Sequence, residues 1–323
     1  MPKAIRLYEH GGSDRLKWEE GPVGAPGPGE LLIRQSAVGV NYIDVYVRTG
    51  LYPRPLPTGM GFEAAGVVAA MGKKVRGFKV GDRIGYYLNA PGAYAEERLL
   101  DADQAIKLPR GISDEQAAAV LLKGLTAYFL LRQTYKVKRG DVVLLPAAAG
   151  GVGLILSQWA HALGARVIGV VGSASKAAIA KRHGCNQVLV GYENFAERVR
   201  HHTRGKGVDV VYDGVGKDTF LASLDCLKPR GMMVTFGNAS GAVPPIAPLE
   251  LMRRGSLFLT RPNAGDYLAG PIARRKAARE LFTLISHRKI RVHIGQRFAL
   301  KEAARAHEAL EARTTQGSTV LVP

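Results

Sequence analysis

A run of small residues, Ala147 to Gly153, separates the apolar stretch Val142 to Leu145 from a helical pattern that begins near Leu154. A strand, a tight turn and a helix in that order leave the first N–H groups of the helix without internal partners, at the positive end of its dipole. Such a junction can hold a pyrophosphate when no side chain obstructs it. Gly150, Gly151 and Val152 are the residues whose backbone would do so. The spacing departs from the common G-x-G-x-x-G, since Ala148, Gly150 and Gly153 take the three places, and context has to add specificity. The context is a βαβ pattern: Arg166 to Val171 and Gln187 to Val190 are further β-branched runs, each reached through a helical segment.

The second piece of chemistry concerns the ribose of the nucleotide. An NAD-type site places a carboxylate about 20 residues beyond the turn, where it accepts from the 2′-OH. Here that position is Gly172-Ser173, and no Asp or Glu occurs from Val142 to Tyr192. A 2′-phosphate would find the Ser173 hydroxyl, the Lys176 ammonium and the Tyr192 phenol instead, so NADPH is expected over NADH. A third group, Phe236, Gly237, Asn238 and Ser240, follows the fifth strand-like run, at the carboxyl edge where open α/β sheets bind ligands.

These groups require a doubly wound parallel sheet, and the chain from Leu125 to Ala264 supplies it. After the three runs already named come Val208 to Tyr212, Met232 to Phe236 and Leu257 to Thr260. Residues 1–124 read differently: short strands such as Glu30 to Val40 and Arg83 to Tyr87 are cut by Gly- and Pro-rich segments, as in an antiparallel, barrel-like domain. Ser113 and Gln116 form a capping-box pattern at the start of a helix that joins the two domains, with an interruption expected at Gly124. Residues 265–323 are too few for a domain of their own and are expected to return to the first.

Length and composition agree with two globular domains: 323 residues, 46% of them hydrophobic, with charge scattered along the chain. No apolar run approaches the roughly 20 residues that span a bilayer, and the amino terminus lacks a signal-peptide core, so no membrane association and a cytoplasmic location are expected. The two cysteines, Cys185 and Cys226, are too few for a four-cysteine metal site. The formal charge of +18 is high, and Met252 to Arg313 holds 14 Lys and Arg against 5 Asp and Glu. Those charges lie on amphipathic helices without interleaved aromatics, which favours a solvated basic face over an RNA or polyanion surface.

Several motifs carry a family likeness. The Gly-rich junction, Asn41-Tyr42-Ile43-Asp44 with Gly50-Leu51-Tyr52-Pro53, Glu63-Ala64-Ala65-Gly66, Gly81-Asp82-Arg83, Lys123-Gly124-Leu125-Thr126 and Phe236-Gly237-Asn238 together resemble the medium-chain dehydrogenase/reductase superfamily. Within it the chain is similar to the zinc-free NADPH:quinone oxidoreductases related to zeta-crystallin. The resemblance implies a Rossmann domain with a GroES-like β-barrel catalytic domain, a cleft between them and a homodimer. The zinc alcohol dehydrogenases of the superfamily have a cysteine ligand where this chain has Asn41, and a Gly-His-Glu motif where it has Gly61-Phe62-Glu63. Amide and phenyl groups cannot replace thiolate and imidazole on zinc, so no metal is expected.

The resemblance also implies roles. The loop bearing Asn41, Ile43, Asp44, Tyr46 and Tyr52 would lie along the nicotinamide side, with Asn41, Asp44, Tyr46 and Tyr52 as catalytic candidates and Asn41 and Ile43 also touching cofactor. Lys123 and Thr126 would add cofactor contacts. A quinone is already polarised by its own carbonyls, so its reduction needs a positioned nicotinamide and neither Zn²⁺ nor an obligatory general base. An alternative is a 2-alkenal or enoyl reductase, in which Tyr52, following Gly50-Leu51, would protonate the carbon next to the hydride acceptor. RNA binding is a further alternative, as a second activity.

Overall fold

The computed structural model describes residues 1–87 and 90–323, and the chain divides into two compact units. Unit 1 comprises 1–125, 270–286 and 292–323, and unit 2 comprises 126–269 with 287–291.

The first segment of unit 1 runs through β1 (Lys3–Leu7), β2 (Leu16–Glu20), β3 (Glu30–Val40), α1 (Tyr42–Arg48), β4 (Thr58–Gly59), β5 (Glu63–Met71), β6 (Arg83–Tyr87), β7 (Glu97–Asp101) and β8 (Ile106–Lys107) to α2 (Asp114–Phe129), whose last four residues belong to unit 2. The Ser113 hydroxyl accepts from the Gln116 N–H at 3.1 Å, and the Gln116 side chain returns to the Ser113 N–H at 3.0 Å, closing the capping box of α2. The interruption expected at Gly124 does not occur, because α2 runs through it. Glycine stands there because the Leu281 side chain fills the space, 2.5 Å from where a Cβ would lie.

Unit 2 carries β9 (Val142–Pro146), α3 (Gly151–Ala162), β10 (Arg166–Val171), α4 (Ala174–Arg182), β11 (Gln187–Val190), α5 (Phe195–His202), β12 (Val208–Asp213), α6 (Phe220–Asp225), β13 (Leu227–Thr235), α7 (Pro248–Arg253), β14 (Phe258–Thr260) and α8 (Ala264–Tyr267). All pairings in its sheet are parallel, in the order β11-β10-β9-β12-β13-β14. That is the doubly wound Rossmann order, with β9 in the middle and its successor helix α3 starting at the Gly-rich turn. Val143, Leu144 and Leu145 are fully buried, as a central strand covered on both faces requires. Leu154, Leu156, Trp159 and Ala160 bury α3 on more than one side, and this fixes its amino terminus against the sheet edge.

The chain then forms α9 (Gly270–Ser286), β15 (Ile294–Ala299), α10 (Ala303–Glu311) and β16 (Ser318–Val322) in unit 1. The return starts at Gly270 instead of residue 265, since the Tyr267 ring stacks on Phe129 with centroids 5.2 Å apart. Residues 287–291 also stay with unit 2, where the Gln158 amide accepts from the Arg291 N–H at 2.8 Å and donates to the Arg291 carbonyl at 3.2 Å. In unit 1 a sheet of order β15-β16-β3-β5-β6-β8 has β7 paired to β3, and β2-β1-β4 forms a second, three-stranded sheet. Strand β3 changes partner along its length. Glu30 to Arg34 pair with β7, whereas Val38 to Val40 pair with β16. Two register shifts against β5, one after Leu32 and one after Gln35, accompany that change. No helix among the described residues is long and apolar enough to cross a membrane.

Candidate active site

In unit 2 the turn between β9 and α3 is built from its small residues. Ala147 takes a left-handed φ of 56°, and its carbonyl accepts from the Gly150 N–H at 2.9 Å. A Cβ on Gly153 would lie 2.5 Å from the Ala147 oxygen, so the helix can pack this close to the turn only with glycine there. Gly150 is the N-cap of α3 in an extended conformation, and Gly151 and Val152 follow in the first turn, half-buried. Their N–H groups lie at the amino end of α3, the end of a helix that favours an anion.

Gly172 and Ser173 lie at the end of β10, with Ser173 as the N-cap of α4. The Tyr192 ring lies against Gly172, 3.6 Å from where a Cβ would be, although 20 residues separate them in sequence. The Gly191 N–H donates to the Val171 carbonyl at 2.8 Å and holds that approach. The Ser173 and Ser175 hydroxyls are 2.9 Å apart, and Lys176 is half-buried in the first turn of α4. Serine, lysine and tyrosine are thus gathered at one sheet edge.

The loops after β12 and β13 complete that edge. Gly237 is buried against the Gly214 backbone, and Phe236 lies over Gly214. The Asn238 amide, in the orientation its neighbours require, donates to the Gly237 carbonyl at 2.9 Å and accepts from Arg261 at 3.3 Å. The Ser240 hydroxyl donates to the Val215 carbonyl at 2.8 Å and accepts from the Asp218 N–H at 3.0 Å, so it ties the two loops together. Asp213, absent from the sequence-derived set, organises both. Its fully buried carboxylate accepts from the Val215 and Gly216 N–H groups at 2.7 and 3.1 Å, and from the Thr219 and Ser223 hydroxyls at 2.7 and 2.9 Å. A single acid ending an apolar strand and followed by Gly-Val-Gly is the sequence signal that could have found it.

In unit 1 the residues around α1 converge on two buried carboxylates. Asn41, extended at φ −140°, is the N-cap of α1, and its N–H donates to Asp44 Oδ2 at 2.7 Å. Its side-chain Nδ2 donates to Glu63 Oε1 at 2.9 Å. Lys123 Nζ donates to the same oxygen at 2.7 Å, while Glu63 Oε2 takes the Leu122 N–H at 2.6 Å. Asp44 Oδ2 also accepts from the Tyr94 hydroxyl at 2.9 Å, and Asp44 Oδ1 has no hydrogen-bond partner. Burial raises the Asp44 carboxyl to about 7 against the pull of those donors and of Lys123. Asp44 has no exposed surface, so it acts on the loop from behind.

Tyr46 and Tyr52 pack edge to face with centroids 5.2 Å apart, and the Tyr52 N–H donates to the Tyr46 carbonyl at 2.9 Å. Ile43 and Tyr52 are half-buried on the core of unit 1. Thr126 lies on α2 three residues after Lys123, half-buried.

These residues do not fit zinc. Glu63 is engaged by three donors, Asn41 offers an amide, and the ring of Phe62 is fully buried. Among the described residues no group of three or more His, Cys, Asp or Glu side chains gathers in a metal-holding arrangement. Both thiols are pushed up to about 12 by burial, which leaves them protonated and unreactive.

Comparison with known proteins identifies the family. The family model of the alcohol dehydrogenase GroES-like domain matches residues 27–110, and that of the zinc-binding dehydrogenases matches residues 151–263. The chain is 50% identical to a quinone oxidoreductase of Pseudomonas aeruginosa over 325 residues, covering 100% of each. It is 46% identical to a 2-haloacrylate reductase of a Burkholderia species, covering 100% of this chain and 99% of the other. Among solved structures, Escherichia coli quinone oxidoreductase complexed with NADPH superposes with a TM-score of 0.97 at 48% identity, over 99% of this chain and 100% of that one. The chain belongs to the quinone oxidoreductase family of the medium-chain dehydrogenases/reductases.

Proposed function

We propose that this protein is an NADPH:quinone oxidoreductase that works without zinc. The observation that carries the reading is the edge of unit 2 formed by Ser173, Lys176 and Tyr192, in a stretch, Val142 to Tyr192, that holds no Asp or Glu. A dianionic 2′-phosphate is favoured by an ammonium and hydroxyl donors, and would be repelled by the acid of an NAD site. Gly150, Gly151 and Val152 hold the pyrophosphate on N–H groups, and Gly237 and Asn238 border the same edge. Bound NADPH supplies a hydride, which with one proton converts a quinone to a hydroquinone.

What unit 1 contributes is a rigid loop. Asn41 is fixed through both its backbone and its side chain, and Tyr46 and Tyr52 form an aromatic wall suited to a flat acceptor. Orientation and exclusion of water supply most of the acceleration, since a quinone needs no further polarisation. A homodimer is part of this proposal. It is supported by β14, an edge strand of the six-stranded sheet that leaves Phe258 exposed. Light scattering at dilute concentration measures the assembly.

A second reading, reduction of an activated C=C bond, is favoured by the half-buried Tyr52 after Gly50-Leu51 and by the haloacrylate-reducing relative. One screen separates the two: NADPH oxidation with 1,4-benzoquinone, 9,10-phenanthrenequinone and trans-2-hexenal. Turnover of both quinones well above the enal supports the first reading, and the reverse order moves the protein to the second.

A further inference from the structure

The loop that the proposed reaction depends on is held by a chain of buried polar groups that begins on the carboxyl-terminal helix. The Arg48 guanidinium, 2% exposed, forks onto Glu311 of α10 at 2.7 and 2.9 Å. Its Nη1 also lies 3.4 Å from His307 Nδ1, and its Nε donates to the Gly11 carbonyl at 3.1 Å. His307 Nε2 is 3.0 Å from the Tyr94 hydroxyl, which donates to Asp44 Oδ2. His307, Tyr94 and Asp44 are all fully buried.

The chemistry fixes the direction of each bond. Arginine only donates, so His307 Nδ1 is the acceptor and the imidazole proton sits on Nε2. Nε2–H then donates to the tyrosine oxygen, whose own proton goes to the carboxylate. Burial, with Arg48 beside it, depresses His307 to about 3, which keeps the ring neutral and this tautomer in place. Asp44 in turn takes the Asn41 N–H, and so sets the start of α1 and the orientation of Asn41 toward Glu63. Independently, the Tyr42 hydroxyl donates to the Leu310 carbonyl of α10 at 2.9 Å.

We propose that Tyr94 and His307 are positioning residues for the acceptor-side loop: through Asp44 they hold Asn41 and the start of α1 in the geometry that the reduction of a quinone requires. The proposal rests on the quinone-reductase reading for its substrate. The mechanical role applies equally to an activated alkene, and this keeps the two separable. A group displaced by about 1 Å can cost on the order of 10²-fold in rate, so loosening that reaches Asn41 only through Asp44 should cost about tenfold.

The test uses the full-length protein and three variants. Tyr94→Phe keeps the ring and removes the hydroxyl. His307→Leu removes both ring nitrogens, whereas His307→Gln keeps one acceptor for Arg48 and one donor for Tyr94. Quinone kcat is expected to fall about tenfold in Tyr94→Phe and His307→Leu, with NADPH Kd, read by quenching of tryptophan fluorescence, within about twofold of the parent. His307→Gln should recover most of the rate. Equal loss in His307→Gln and His307→Leu, unchanged kcat in Tyr94→Phe, or a Kd that rises with the fall in kcat would each overturn the proposal. If the parent protein reduces the enal and not the quinones, the substrate reading fails. The same variants measured with the enal then decide the positioning role.

Discussion

Lys123 and Glu63 form a buried ion pair at 2.7 Å, with side chains 5% and 0% exposed, and Asn41 donates to the same carboxylate oxygen. Through that oxygen the pair supports Asn41 at the start of α1. Removing either partner strands a charge in the interior, which typically costs about 3–5 kcal/mol, whereas replacing both with apolar groups is often nearly neutral. Glu63→Gln and Lys123→Met should therefore each lower stability by that amount, and Glu63→Gln/Lys123→Met by less than the two single changes combined. Urea denaturation of the three variants measures the coupling. A strictly additive double variant would show that the pair contributes nothing as a pair.

The proposed function makes cofactor preference depend on Lys176. Lys176→Ala should weaken NADPH binding by about 1.5–3 kcal/mol, the range for a hydrogen bond to a charged group, and leave NADH nearly untouched. Titration of each cofactor against parent and variant gives the two values. An equal loss for both would detach Lys176 from the 2′-phosphate.

The metal question has a direct readout. Elemental analysis of active protein should find no stoichiometric zinc, and EDTA should leave NADPH oxidation intact. Activity lost to EDTA and restored by zinc would overturn the reading of Asn41 and Phe62.

Tyr52 separates the two substrate classes. If it only shapes a pocket for a flat acceptor, Tyr52→Phe should change quinone turnover by less than about tenfold. If it donates a proton to an alkene carbon, the enal rate should fall by about 10²- to 10⁴-fold, the range for general acid catalysis. We expect the small effect with quinone. A large loss with both substrates would assign the tyrosine a role in ordering the nicotinamide.

Asp44 and His307 impose opposite pH dependences on stability. Asp44 is raised to about 7 in the fold and ionises near 4 in an unfolded chain. The folded state therefore holds the extra proton, and the contribution is full below pH about 4 and lost as pH rises through 7. His307 is lowered from 6.5 to about 3, so here the unfolded state holds the extra proton and stability is lost as pH falls below 6.5. Relative to the parent, Asp44→Asn should gain stability from pH 4 to 7, and His307→Gln should gain it as pH drops from 6.5 toward 4. Denaturation midpoints across that range test both signs.

The nucleotide unit was the more legible part of the sequence, for a physical reason. Parallel strands buried on both faces read as continuous apolar runs, and Val142–Pro146 and Arg166–Val171 fall where those runs lie. The absence of acids from Val142 to Tyr192 is likewise a local fact of the sequence. The support behind α1 was not legible. Tyr94 meets His307 across 213 residues, and Arg48 meets Glu311 across 263, and nothing in the local pattern of either segment marks it for the other. Gly124 misled for a related reason: it reads as a helix breaker until Leu281, from another segment, is found in the space beside it.

The partner switch along β3 bears on the order in which the molecule is made. Unit 2 is contiguous but for 287–291, so its sheet, β9 to β14, is complete in the emerging chain by Thr260. Unit 1 begins first and ends last. The edge of β3 from Val38 to Val40 stays unpaired, and Arg48 lacks Glu311, until α10 and the final strand Ser318–Val322 have left the ribosome. During synthesis the nucleotide-binding half can therefore fold while the half bearing Asn41, Tyr46 and Tyr52 is still an open sheet. Translation that stops before Ser318 would leave an assembled Rossmann unit tethered to an aggregation-prone edge.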